Sequence, residues 1–191
     1  TVESVVSNFL KGHSIDILVN NTGGPAGGPI TDATPEQFLA AFQQHLICNH
    51  MLVRLVMQGM KQAGYGRIVN VISTSVKIPL KGLGVSNTIR GAVASWAKTM
   101  ANELGQYGIT VNNVLPGATA TERLETIISN KVAKTGQQAD AVEKEMLEEI
   151  PAKRFGQPAE IGAVIAFLCT PAAAYVNGTS IPVDGGRTGS I

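Results

Sequence analysis

The sequence predicts an α/β fold, a Rossmann-like doubly wound parallel sheet, and three observations carry that prediction. The apolar residues are mainly Val, Ile, Leu and Ala, aromatics are few (5%) and glycines many (21), the make-up of a sheet covered by helices. Short unbroken apolar runs, ILVN, RIVNVI and ITVNNVL, alternate with stretches of helical period. At 191 residues the chain is long enough for one domain with a real core, spanning 1–191.

The elements follow in order. TVESVVSNFLKG reads as the tail of a helix stopped at Gly12, and Ile15–Asn20 as a short strand. TGGPAGG, Thr22–Gly28, imitates a phosphate-cradling glycine turn. Pro25, Pro29 and the lack of an immediately following helix instead make it a turn-rich loop. Thr34, with Pro35 behind it and Gln37 three residues on, is a capping-box start. The helix it opens runs to about Lys61 and is apolar on more than one face, so one side should meet the sheet and the other either core or a partner. Arg67–Ile72 is a strand ending at Ser73. Helix Ser86–Tyr107 carries Ile89, Val93, Trp96, Met100 and Leu104 at a period near 3.6, and Ile109–Leu115 is a further buried strand. Residues 121–150 are the most polar stretch, two helices around Lys134-Thr135-Gly136. They read either as a mobile cover over the sheet's carboxyl edge, choosing substrate, or as a solvated helical hairpin. A last helix to about Leu168 and a strand near Ile181 close the chain.

Fifteen basic residues against fourteen acidic give +1, so no nucleic-acid or anionic-membrane footprint is expected. No apolar run reaches the roughly 18 residues of a membrane span, and the N-terminal residues lack a signal-peptide pattern. Cys48 and Cys169 sit in apolar runs and are expected to be reduced and buried, which fits a cytoplasmic address. His13, His45 and His50 lack ligand spacing, so no metal site is expected.

The stretch around which the rest is organised is Ser73–Arg90. Ser73 ends a strand, and Ser86-x-x-x-Arg90 opens a helix, which sets three polar side chains at the carboxyl end of the sheet, where open α/β folds bind ligands. With its flanks RIVNVIS and AVASWAKTMANELGQYGITVNNVLPG, this stretch resembles the active-site segment of the short-chain dehydrogenase/reductases. The pattern is divergent and most similar to the 3-oxoacyl-(acyl-carrier-protein)-reductase-like branch. The family's Ser, Tyr and Lys fall on Ser73, Ser86 and Arg90. The spacings of thirteen and four need no gap, so the exchange is not an alignment slip.

The resemblance covers essentially every residue present and implies more. Asn20-Asn21-Thr22-Gly23 matches the family's Asn-Asn-Ala-Gly step, whose amides brace the sheet and whose glycine admits the adenosine side of the cofactor. Simple strand-to-loop punctuation is the alternative. Pro116, Gly117, Thr119 and Thr121 match the loop facing the nicotinamide carboxamide, with Thr119 in place of an apolar residue; Thr121 is also a candidate helix N-cap. His45 falls where the family has an asparagine holding a relay water, against the plainer reading of a satisfied or surface histidine. The implied cofactor is NADP or NAD and the implied substrate a small carbonyl or alcohol. A homodimer or homotetramer across the long helix and Trp96 is also implied. The N-terminal βαβαβ portion, with the pyrophosphate turn, is absent from this chain, so an upstream segment and weak dinucleotide binding by these residues are expected, and Ile15–Asn20 should form an open sheet edge.

In that family the tyrosine, with an ordinary pKa of about 10, exchanges a proton with the substrate, and the lysine holds ribose and lowers that pKa. Ser86 is shorter and a far weaker acid, so a proton would have to travel through water held by Ser86, Ser73 and His45. Arg90 can grip ribose hydroxyls but stays charged. Alternatively Ser86 only caps its helix and Arg90 lies in solvent. The leading expectation is therefore an NAD(P)-dependent oxidoreductase with an altered proton path. The competing one is a catalytically silent relative that binds nucleotide or pairs with an active subunit. A serine hydrolase using Ser73 and His45 is disfavoured, because no Gly-x-Ser-x-Gly elbow exists.

Overall fold

The computed structural model describes residues 1–189. Helix α1 (Val2–Phe9) leads to strand β1 (Ile17–Asn20), and the capping box at Thr34 opens α2 (Pro35–Phe42) as the sequence pattern requires. The expected single helix to Lys61 is instead broken. A π-helical turn at Gln43–Ile47 separates α2 from α3 (Cys48–Ala63), with the Cys48 N–H donating to the Gln43 carbonyl. Such widened turns insert an extra residue and re-aim the side chains beside them, and no local propensity signals them. There follow β2 (Gly66–Val71), α4 (Gly84–Leu104), β3 (Ile109–Pro116), α5 (Glu122–Thr135), α6 (Ala139–Glu148), α7 (Pro158–Leu168) and β4 (Ser180–Val183).

The four strands are parallel in the order β1-β2-β3-β4. Alternate residues feed opposite layers. On one face Ile68 and Val111 pack with Val53, Val56 and Met60 of α3 and Ala97 and Leu104 of α4. On the other, Val69 and Val114 meet Ile161 and Leu168 of α7. That is a Rossmann-like sheet with helices on both faces. β1 is an open edge, with Ile17 46% and Val19 42% exposed.

A side-chain ladder crosses the sheet in register. Asn20 donates to Asn70 (2.9 Å), Asn70 to Asn113 (3.0 Å) and Asn113 to the Ser180 hydroxyl (3.1 Å). A one-residue slip would throw these amides to the opposite face, so the ladder favours one register. Both cysteines are half-buried rather than buried, since each lies at a helix end and not on the core-facing stripe. Among the described residues no helix is long and apolar enough to cross a membrane.

Candidate active site

The site lies where β1 and β2 end. β2 finishes at Val71, and Ser73 turns the chain into a short 3-10 turn, Thr74–Val76, that packs against α4. The Ser73 hydroxyl oxygen accepts the Ser75 N–H (3.1 Å). Its own proton remains available to donate to a carbonyl oxygen.

Ser86 and Arg90 are one turn apart on α4 and both are buried, at 9% and 8% exposure. The two plainer readings of these residues fail. The N-cap of α4 is Leu83, so Ser86, within the first turn, does not cap it. Arg90 is not in solvent: its Nη1 donates to the Val71 carbonyl (2.9 Å), tying α4 to the strand end two residues before Ser73. Burial, and secondarily the charge of Arg123, lowers the Arg90 pKa to about 10, so it remains a cation at neutral pH.

His45 joins this cluster from the π turn, which packs against α4. It is 2% exposed and shares a hydrogen bond between Nδ1 and the Thr22 hydroxyl. It is neither on the surface nor satisfied, because its Nε2 is buried without a partner. Burial first, then the Arg90 charge, lowers its pKa to about 4, so the imidazole is neutral at pH 7. A neutral ring with one open nitrogen can hold a water molecule as donor or acceptor, according to its tautomer.

The loop residues divide. Asn20 braces the sheet through the ladder, whereas Asn21 is exposed, so only one of the two expected amides braces it. Gly23 is exposed, with nothing within 4 Å of where a Cβ would stand. Thr22–Gly28 enters no helix. It is strapped to the start of α4 by the Gly28 N–H on the Gly82 carbonyl (2.7 Å), so the expected turn-rich loop is what forms.

Pro116 ends β3, and Gly117 follows where a Cβ would stand 2.6 Å from that of Asp184, so the close approach of the chain after β4 demands glycine. The Thr119 hydroxyl donates to the Gly117 carbonyl (3.1 Å), and the Thr121 hydroxyl to the Thr119 carbonyl (3.2 Å). Thr121 is the N-cap of α5 by position, but its side chain bonds backward and does not cap.

Sequence reasoning missed three parts of the site: the Thr22–His45 bond, the Val71 carbonyl as the anchor of Arg90, and Arg123. Arg123 Nη2 donates to the Pro25 carbonyl (3.1 Å) across 98 residues of chain, for which no local signal exists. Thr22 lay within the quoted Asn-Asn-Thr-Gly step, and its hydroxyl could have drawn notice.

A strand-end serine, a buried hydroxyl and cation one helical turn apart and a bracing asparagine gather at one edge of a parallel sheet. A family model described as enoyl-(acyl carrier protein) reductase matches residues 1–188, and the chain belongs to the short-chain dehydrogenase/reductase family, a family of NAD(P)-dependent oxidoreductases. It is 30% identical to the NADPH-dependent reductase BacG of Bacillus subtilis over 93% of this chain and 68% of that protein. It is 33% identical to the 7alpha-hydroxysteroid dehydrogenase of Escherichia coli K12 over 90% of this chain and 63% of that one. The crystal structure of YwfH, an NADPH-dependent reductase involved in bacilysin biosynthesis, superposes with a TM-score of 0.92 at 28% identity, covering 99% of this chain and 74% of that one. The chain thus spans about two thirds of the length of the curated relatives it matches.

Proposed function

We propose that the protein interconverts a small carbonyl compound and its alcohol with NAD(P), by a proton path altered from that of its family. The observation that supports this best is that elements packed on one another carry Ser73, Ser86, Arg90 and His45 to one strand end, with Arg90 bonded to the Val71 carbonyl. When bound, the nicotinamide gives or takes the hydride. The residues present fit that end of the cofactor: a buried guanidinium with unused donors and a buried imidazole nitrogen without a partner stand beside an open glycine loop.

In this reading Ser73 donates to the substrate oxygen and polarises the carbonyl. Arg90 holds the ribose hydroxyls as a multi-pronged donor and passes no proton on. The proton moves through water held by Ser86, Ser73 and the neutral His45. Pro116, Gly117, Thr119 and Thr121 form the rim that meets the carboxamide, and Gly23 leaves room for the adenosine side. Residues 121–150 act as the substrate cover of the single domain 1–191. Two features support it: α5 and α6 close on a small core of Leu124, Ile128 and Val142, and the Arg123 side chain ties the first turn of α5 to the Pro25 loop. The branch is 3-oxoacyl-(acyl-carrier-protein)-reductase-like with Ser and Arg replacing Tyr and Lys. The protein works as a homodimer or homotetramer across α3 and α4, where the Trp96 indole donates to His50 (3.3 Å).

Nicotinamide-dependent turnover of an activated ketone by the full-length protein tests the proposal. A missing general acid costs on the order of 10² to 10⁴ in rate, so the double variant Ser86→Tyr/Arg90→Lys should be faster by that factor. No gain in the double variant, with no cofactor binding by either form, would establish the silent relative instead, the reading that the absence of a phenol at position 86 favours.

A further inference from the structure

Arg90 on α4 and Arg123 on α5 converge on the loop after β1. The Nη2 atoms of both lie 3.6 Å from the point that a Cβ on Gly24 would occupy. At most twice that distance separates them, a gap that one carboxylate spans with two charge-assisted bonds of about 2.8 Å each. Each guanidinium is anchored by one backbone carbonyl, Val71 for Arg90 and Pro25 for Arg123. Neither meets a carboxylate: among the described residues the ion pairs are Lys131–Glu145, Arg154–Glu160 and Arg187–Glu149. Glu122 and Glu125, on the first turn of α5 with Arg123, pair with neither arginine.

Two cations, Arg90 at 8% exposure and Arg123 exposed, therefore reach the same glycine with no protein anion between them. An anion between them would offset their repulsion, which after burial is the second cause of the lowered pKa of Arg90. Bidentate recognition of an oxyanion is the chemistry at which paired guanidinium forks excel. Phosphate would supply an oxyanion too; the carboxylate is favoured because Thr22–Gly28 enters no α-helix whose N-terminus would add the backbone donors that phosphate sites use.

We propose that Arg123 and the Nη2 end of Arg90 form a two-guanidinium clamp over Gly24 that takes the carboxylate of an oxo-acid or hydroxy-acid substrate, leaving the other N–H groups of Arg90 to the ribose. The inference rests on the function proposed above for the identity of the guest. Because Arg90 is anchored at Val71, two residues before Ser73, the clamped acid group lies a short spacer from the hydroxyl that would meet the carbonyl.

Calorimetric titration of the 191-residue chain at low ionic strength, without cofactor, tests this with three probes: 3-oxobutanoate, its methyl ester and pyrophosphate. The acid should bind, and the ester at least about tenfold more weakly, as the loss of one charge-assisted bond requires. Arg123→Gln should weaken the acid by a similar factor. So should Gly24→Ala, because the added methyl fills the gap at ordinary contact distance while the backbone, which is not left-handed there, accepts alanine. Thermal melts of both variants should match the parent. Failure of the acid to bind, equal binding of acid and ester, or acid binding indifferent to both variants overturns the clamp. Pyrophosphate binding more tightly than 3-oxobutanoate, and lost in both variants, assigns the gap to a phosphate and overturns the carboxylate. None of these readouts involves turnover, so the clamp and the proposed reaction fail separately.

Discussion

Two buried arginines stand at opposite ends of β2 and are treated differently. Arg67, near its start, is 2% exposed and donates to the carbonyls of Gly66 (2.8 Å), Gly108 (3.1 Å) and Thr170 (3.4 Å), with the Tyr65 ring 4.2 Å from its guanidinium carbon. Arg90, at the far end, is also buried, at 8% exposure, but has one carbonyl, Val71, and a second cation nearby. A buried charge held by three backbone carbonyls and an aromatic ring belongs to the fold. One that keeps donors open, beside a histidine that also keeps a nitrogen open, is a candidate binding group. The same contrast separates Asn70, which both accepts and donates within the ladder, from His45, which uses only Nδ1.

The contrast can be broken by substitution. Arg67→Ala should be the most damaging change, because it opens a cavity and strips three carbonyls of their donor. A loss of about 3–5 kcal/mol is expected, read as a lower urea midpoint. Asn70→Ala should follow at about 2–4 kcal/mol, since it leaves the Asn20 amide and the Asn113 carbonyl oxygen unpaired at once.

His45 supplies a pH test. Its folded pKa of about 4 lies below the ordinary 6.5, so the unfolded chain binds the extra proton between those values. Stability from this group is therefore full above pH 6.5 and lost as pH falls toward 4. Urea midpoints measured across that window should decline in the parent, and the decline should be shallower in His45→Asn. Arg90→Met should have the smallest effect on stability: replacing an incompletely satisfied cation with hydrocarbon of similar length should be neutral or stabilising by up to about 1 kcal/mol. A loss as large as that of Arg67→Ala would erase the distinction between the two arginines.

Much of the fold was legible because its signals are local. The β2 and β3 runs are apolar on both faces, Thr34 and Pro35 announce a helix start, and the Ser73–Ser86–Arg90 spacing survives whatever residues fill it. The break at Gln43–Ile47 was not legible. An α-helix and a π turn share the same residue preferences there, and only packing against α4 selects the wider turn that carries His45 inward. Nor could the amide pattern show that Asn20, Asn70 and Asn113 meet, because their contact depends on the strand register.

The sequence by itself determined the fold class, the order of the elements and the family, since each follows from periodicity, caps and residue spacing along the chain. Only the tertiary structure decided which buried polar groups are satisfied. Whether a guanidinium finds carbonyls, a second cation or an open gap depends on loops that lie far apart in the chain, as Pro25 and Arg123 do.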